Sequence, residues 1–233
     1  METCAIDPTA PVSLLVVESP GFAPVFERLR IDYSCSGDVP LVIACNDRRL
    51  ELSAVVGELL AAGADDAGHG RWADVPLADL CEHIVGGHHR YLRSELRRLL
   101  KLSRAVARQH AAVDARLSAL CFVLRSLDAD TDSHTAREEA DLFPAATRLE
   151  ARGGTVPPEL ERLINSLESE HRQTAVTLRQ IRRLLDDYDG AAAHGDDHRV
   201  LIEGLAELER DTHRHVHEEN NILFPRLRAR TAA

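Results

Sequence analysis

His134, Glu138, Phe143 and Pro144 recur 81 residues later as His215, Glu219, Phe224 and Pro225, so the chain carries the pattern H-x3-E-x4-F-P twice. Another histidine stands upstream of each copy, His89 and His171, 82 residues apart. Imidazole nitrogen and carboxylate oxygen ligate divalent transition metals, and four of the first with two of the second suit a pair of iron ions in a helical bundle. Histidine and glutamate four apart on a helix project from one face, stacked a turn apart. A lone H-x3-E on a surface helix is common and carries little. Two in register, with two matching histidines, carry much more.

All six residues fall on apolar seams. The first helix reads Val85, His89, Leu92, Leu96, Leu99, Leu102, Val106, and the second Leu117, Leu120, Leu124, Leu127, Thr131, His134, Glu138. The third reads Leu167, His171, Thr174, Leu178, Ile181, Leu185, and the fourth Leu201, Leu205, Leu208, Thr212, His215, Glu219, Ile222. Steps of three and four mark the inward face of bundle helices. Burying these polar groups unpaired costs several kcal/mol each, and a metal pair removes that cost. A buried hydrogen-bonded network is the alternative.

Nitrogen and oxygen ligands without thiolate disfavour structural zinc. Ferritin-like sites space Glu and His three apart, whereas here the spacing is four and the set is rich in histidine. One carboxylate per copy makes Glu138 and Glu219 natural bridges, holding the ions about 3.5–4 Å apart beside a hydroxide.

Twelve histidines compete for these roles. His89 rather than His88 continues its stripe, and His215 alone among His213, His215 and His217 lies four before Glu219. Glu139 aligns with Asn220 across the repeat, which leaves Glu138 as the ligand of that pair. His83, His88, His213 and His217 read as solvent-facing or as supports behind the ligands. His69, His110, His194 and His198 fall in loops or at helix ends.

The elements that position the set follow from punctuation. Gly153-Gly154 with Pro157-Pro158 and the run Gly190 to Gly195 break the chain after the second and third helices, while the break at 110–114 carries neither residue type. Pro144 and Pro225 are predicted to kink or end their helices. Residues 1–66 read as a small helical domain with patterns at 22–29, 39–45 and 49–62, residues 67–76 as a linker, and residues 77–233 as an antiparallel four-helix bundle. The fold class is all-α.

A net charge of −10 excludes a broad phosphate-neutralising face, so no nucleic-acid partner is expected. The apolar run at 12–17 is too short to span a bilayer, and no membrane association is expected. Five cysteines without CxxC pairing, Cys4, Cys35, Cys45, Cys81 and Cys121, suit a reducing cytoplasm.

With these residues in place the chain resembles the hemerythrin-like di-iron proteins, and within them the iron-sulfur cluster repair family (Repair of Iron Centres). The resemblance rests on residues 80–89 (LCEHIVGGHH), residues 134–144 (HTAREEADLFP), Glu168-Ser-Glu-His171 and residues 215–226 (HVHEENNILFPR). It extends to residues 25–33 (VFERLRIDY), Ser34-Cys35-Ser36-Gly37 and Ala44-Cys45 in the N-terminal segment. It implies that His89 and His215 bind one iron and His134 and His171 the other. The two irons would be bridged by an oxo or hydroxo group and by Glu138 and Glu219. It also implies repair of iron-sulfur clusters damaged by nitrosative or oxidative stress, through labile iron donation or nitric oxide chemistry. The partners would be nitric oxide or dioxygen species and iron-sulfur client proteins, with the chain a monomer or homodimer. The same ligand set also suits a carrier or sensor of dioxygen or nitric oxide, or an enzyme that reduces nitric oxide or peroxide. The family usually shows two adjacent cysteines and two glycines where this chain has Ser34-Cys35-Ser36-Gly37. That leaves Cys35 as a single candidate thiol relay, in a turn where a helix N-terminus could favour its thiolate.

Overall fold

The computed structural model describes residues 6–63 and 72–230, so Cys4, His69 and the first half of the expected linker lie outside the described residues. Among the described residues there is no strand beyond an isolated bridge between Pro11 and Pro40. The chain divides into two compact units, Met1–Pro76 with Val216–Ala229 and Leu77–His215 with Arg230–Ala233.

The first unit is built from α1 (Val12–Glu18), α2 (Ala23–Leu29), α3 (Leu41–Arg48) and α4 (Leu52–Gly63). The apolar run expected only to be too short for a membrane is itself α1, burying Val12, Leu15 and Val16. Two of the helices stop alike. Arg30 and Arg49 adopt left-handed φ of 59° and 57°, and Ile31 and Leu50 each donate to the carbonyl five residues back. That 6→1 bond with an apolar residue just past the helix is the Schellman stop, here without glycine. Val12, Phe26, Tyr33, Leu41 and Leu59 form the centre of a core of their own. Gly37 is required, because a Cβ there would lie 2.5 Å from the Ser13 Cβ and 2.6 Å from the Tyr33 carbonyl oxygen.

The C-terminal residues of this unit grip the turn after α2. His217 Nδ1 lies 3.2 Å from the Tyr33 carbonyl, Asn220 donates to the Ser34 carbonyl at 3.2 Å, and Asn221 donates to both at 3.3 and 3.1 Å. On the inner side of the turn Asp32 Oδ1 accepts from the backbone of Ser34 and Cys35, each at 3.0 Å. Cys35 therefore sits in an Asx-type turn. It is not at a helix N-terminus, since α3 begins only at Leu41. The expectation of dipole-favoured thiolate fails on that point, because the dipole field fades within one turn.

The second unit is the bundle. Its first helical run is α5 (Leu77–Ile84), a π turn at Val85–His89 and α6 (Arg90–His110). The second is α7 (Arg116–Arg137), a π turn at Glu138–Leu142 and α8 (Phe143–Arg152). The third is α9 (Pro158–Leu184), and the fourth begins as α10 (Asp196–Glu218). That last run continues through a π turn at Glu219–Leu223 into α11 (Phe224–Arg228). The interhelical breaks at 111–115, 153–157 and 185–195 are short, as antiparallel neighbours require. Leu92, Leu99, Leu120, Leu124, Leu178, Ile181, Leu201 and Leu205 fill the core. The third seam passes through Ala175 rather than Thr174, which is only half-buried. A Cβ on Gly204 would stand 2.6 Å from Leu99 Cδ2, so a larger residue there would require the Leu99 and Arg98 side chains to shift.

The prolines do not end their helices. Phe143 donates to the Glu138 carbonyl and Phe224 to the Glu219 carbonyl, each five residues back. The widened turn takes up one extra residue immediately before the position where Pro144 or Pro225 lacks a donor. The helix then resumes with proline in its first turn, where a missing N–H costs little.

Candidate metal centre

Among the described residues three π turns occur, and each contains or begins at an expected ligand: His89 closes the first, Glu138 opens the second and Glu219 opens the third. A π turn shifts the register of one helical face against the next, and such turns gather at functional sites. His171 comes instead from the unbroken interior of α9.

His89, Glu138, His171, His215 and Glu219 are buried, and His134 is nearly so with 12% of its side chain exposed. Inside the bundle the imidazoles turn their Nε2 atoms toward one carboxylate. Glu138 Oε2 lies 3.3 Å from His89 Nε2, whereas Oε1 lies 2.9 Å from His134 Nε2 and 3.9 Å from His171 Nε2. His89 and His215 approach each other at 3.3 Å between Nε2 atoms, and His134 and His171 at 2.9 Å. His89, Glu138 and His215 thus form one convergent set of ligand atoms and His134, Glu138 and His171 another, each within 4.8 Å. Glu219 follows His215 by one turn on the same helical run, as Glu138 follows His134.

The far side of two imidazoles is also engaged. His89 Nδ1 lies 2.8 Å from Glu139 Oε1, which also takes Arg93 at 2.8 Å. His134 Nδ1 lies 2.9 Å from Glu170 Oε2, which also pairs with Arg137. Burial raises the affinity of both carboxyls for protons, but the hydrogen bonds from histidine and arginine outweigh it and hold each below the ordinary glutamate range. A charged carboxylate can only accept, so each of these histidines donates through Nδ1, which would leave the inward Nε2 lone pair for a metal ion. That is the tautomer a metal ligand needs. Repeat analysis set Glu139 aside in favour of Glu138 and gave Glu170 no role. The acidic residue beside each ligand was the available signal.

The remaining histidines sort by burial. His88 is buried rather than solvent-facing, bonded through Nδ1 to Asp211 at 2.9 Å and stacked on His215 at 5.5 Å. His217 is buried behind Tyr33, with burial lowering its pKa to about 4. His83 and His213 are partly buried. His110, His194 and His198 stack in a row at the far end of the bundle, with ring centroids 5.6 and 5.4 Å apart. An open cleft of about 740 Å³ runs beside the first π turn, lined by Cys81, Arg90, Glu139, Phe143 and Arg148 among others.

The donor set fits divalent transition-metal binding: imidazole and carboxylate, without thiolate, buried and convergent. Among the described residues no helix is long and apolar enough to cross a membrane.

Comparison with known proteins agrees with this chemistry. Residues 82–227 match the hemerythrin HHE cation binding domain, and residues 9–63 match ScdA_N, a domain of unknown function. The iron-sulfur cluster repair protein YtfE of Edwardsiella ictaluri is 30% identical over 93% of this chain and 95% of its own length. The iron-sulfur cluster repair protein ScdA of Staphylococcus haemolyticus is 28% identical over 91% of the chain and 95% of its own. A probable iron-sulfur cluster repair protein of Haemophilus influenzae is 27% identical over 93% and 95%. The chain belongs to the hemerythrin-like iron-sulfur cluster repair family.

Proposed function

We propose that this protein holds two iron ions and serves in the repair of damaged iron-sulfur clusters, giving up iron to client proteins from a centre built to release it. One observation carries the reading: the two oxygens of the buried Glu138 face two separate histidine sets. A carboxylate so placed is a bridge, and a bridge implies two ions rather than one. His89 and His215 would hold the first ion and His134 and His171 the second. Glu219, at the same four-residue step from its histidine, would supply the second bridge. When bound, the iron pair supplies exchangeable ferrous ions and a reaction partner for nitric oxide.

The chain's own residues do the rest. The apolar core around Leu92, Leu124, Leu178 and Leu205 holds the four ligand-bearing helices in fixed register. Four of the six ligands would be neutral imidazoles, which hold ferrous iron without charge attraction. That suits a centre that lets iron go. Protons arriving at the Nε2 atoms compete directly with the metal, so release is favoured as pH falls. Cys35, held in its turn by Asp32, would assist transfer but would not be needed to assemble the centre.

The test is direct transfer. A client protein whose cluster has been broken by nitric oxide is mixed with the iron-loaded chain under anaerobic conditions, and the client's cluster is followed by its visible spectrum. Recovery matched by loss of iron from the chain is expected, with none from a Glu138→Ala variant. Recovery that proceeds equally with that variant would refute the proposal.

A further inference from the structure

The ligand positions obey the internal repeat, but the groups that back them do not. The repeat partner of Glu139 is Asn220, and the residue matching Glu170 in front of His89 is His88. Arg137 matches Glu218, and Arg93 matches Ala175. Even so, each metal position has one histidine backed through Nδ1 by a carboxylate that is itself clamped by an arginine: His89 by Glu139 with Arg93, His134 by Glu170 with Arg137. Each clamp has a further tie. Arg93 donates to Thr135 Oγ1 at 2.8 Å, and Ser166 donates to the other oxygen of Glu170 at 3.1 Å. The same device stands at both positions with different residues, on helices the repeat does not pair.

We propose that Glu139 with Arg93, and Glu170 with Arg137, are positioning pairs that set how firmly each of the two ions is held, one pair per ion. This rests on the two-iron reading above. A carboxylate behind an imidazole fixes the ring's orientation and tautomer and raises the basicity of the nitrogen facing the metal. The arginine fixes the carboxylate in turn and withdraws part of its charge, so the pair grades the effect. The backing carboxylates are similarly exposed, Glu139 at 31% and Glu170 at 39%, but the histidines differ: His89 is wholly enclosed and His134 is 12% exposed. The ion at His134 and His171 is therefore the one with the looser surroundings, and it is the one that leaves first.

Ferrous iron binding to the full chain, stripped of metal and titrated anaerobically against a ferrous chelator, tests this. Glu139→Ala and Glu170→Ala should each weaken one iron by roughly 10–100-fold and leave the other near its original affinity. Glu139→Gln and Glu170→Gln should recover part of the loss, since the amide oxygen still accepts the Nδ1 proton but lacks the charge. A role confined to folding would show no such graded recovery, and the thermal melts of the metal-free chains report folding separately. In the original chain, the ion exchanged first should be the one weakened by Glu170→Ala. Two irons held with unchanged affinity in both alanine variants would overturn the positioning role while leaving the two-iron reading intact. An unaltered chain that takes up fewer than two irons would overturn that reading itself.

Discussion

The two copies of the H-x3-E-x4-F-P pattern keep the same ligands and send the residue after each glutamate in opposite directions. In the first copy Glu139 turns to His89 and backs the centre. In the second, Asn220 turns away to the Ser34 carbonyl, joined by Asn221 and His217. A carboxylate serves the first task because it must hold an imidazole proton with charge. An amide serves the second because backbone carbonyls need a donor. The two copies thus share their candidate ligands and differ in the task of the residue that follows.

The largest effects should fall where the copies are alike. Glu138→Ala and Glu219→Ala should each reduce iron from about two per chain to near none, because a bridge serves both ions. Metal analysis of the purified variants checks this, and full occupancy in either would show that the copies are not equivalent ligands.

A smaller effect separates the neighbours. Asn221→Ala should leave iron content unchanged but lower stability by about 1–3 kcal/mol, since it strips a donor from half-buried carbonyls. Denaturant melts read the loss, and the alkylation rate of Cys35 should rise as its turn loosens. Unchanged alkylation would mean that Asp32 alone holds the turn. His88→Ala should also keep its iron, because His88 stacks on His215 and bonds Asp211 without supplying an inward atom to the set. Loss of iron there would move the ligand assignment by one residue.

Removing residues 1–76 divides the copies differently. A chain starting at Leu77 should still bind iron, because five of the six ligands lie in Leu77–His215 and Glu219 follows on the same helix. It should melt at lower temperature, as His217, Asn220 and Asn221 lose the carbonyls they hold. An insoluble or metal-free fragment would show that the bundle does not form alone.

The smallest effect lies far from the ligands. Burial lowers the pKa of His198, whose Nδ1 accepts from the His194 backbone, below the ordinary 6.5. An unfolded chain protonates this histidine first, so the stability it lends is complete above about pH 6.5 and drains away as pH falls. His198→Asn, which can still accept that bond, should flatten the fall in stability on acidification. An unchanged pH profile would remove His198 from the explanation.

Much of this was legible in the chain. Apolar seams at helical spacing located the bundle, and the repeat singled out six candidate ligands, from twelve histidines and many carboxylates, whose atoms the structure brings together. The π turns were not legible, because an extra residue in a hydrogen-bond ladder leaves no mark in composition. Pro144 and Pro225 pointed to a kink or an end in each helix without showing that a widened turn takes it up. Helix α1 hid because Val12–Glu18 lacks a polar face to reveal its period. The backing residues hid for the opposite reason: Glu139, Glu170, Arg93 and Arg137 depart from the repeat, and only the packing of helices brings them behind His89 and His134.

Whether the two irons are coupled is read by Mössbauer spectroscopy of the iron-loaded, oxidised chain. Two irons joined by shared bridges should couple antiferromagnetically and give quadrupole doublets with no magnetic splitting in an applied field beyond that of the field itself. A magnetically split spectrum from isolated high-spin ferric iron would contradict the account, because it would mean that Glu138 and Glu219 do not join two ions in one centre.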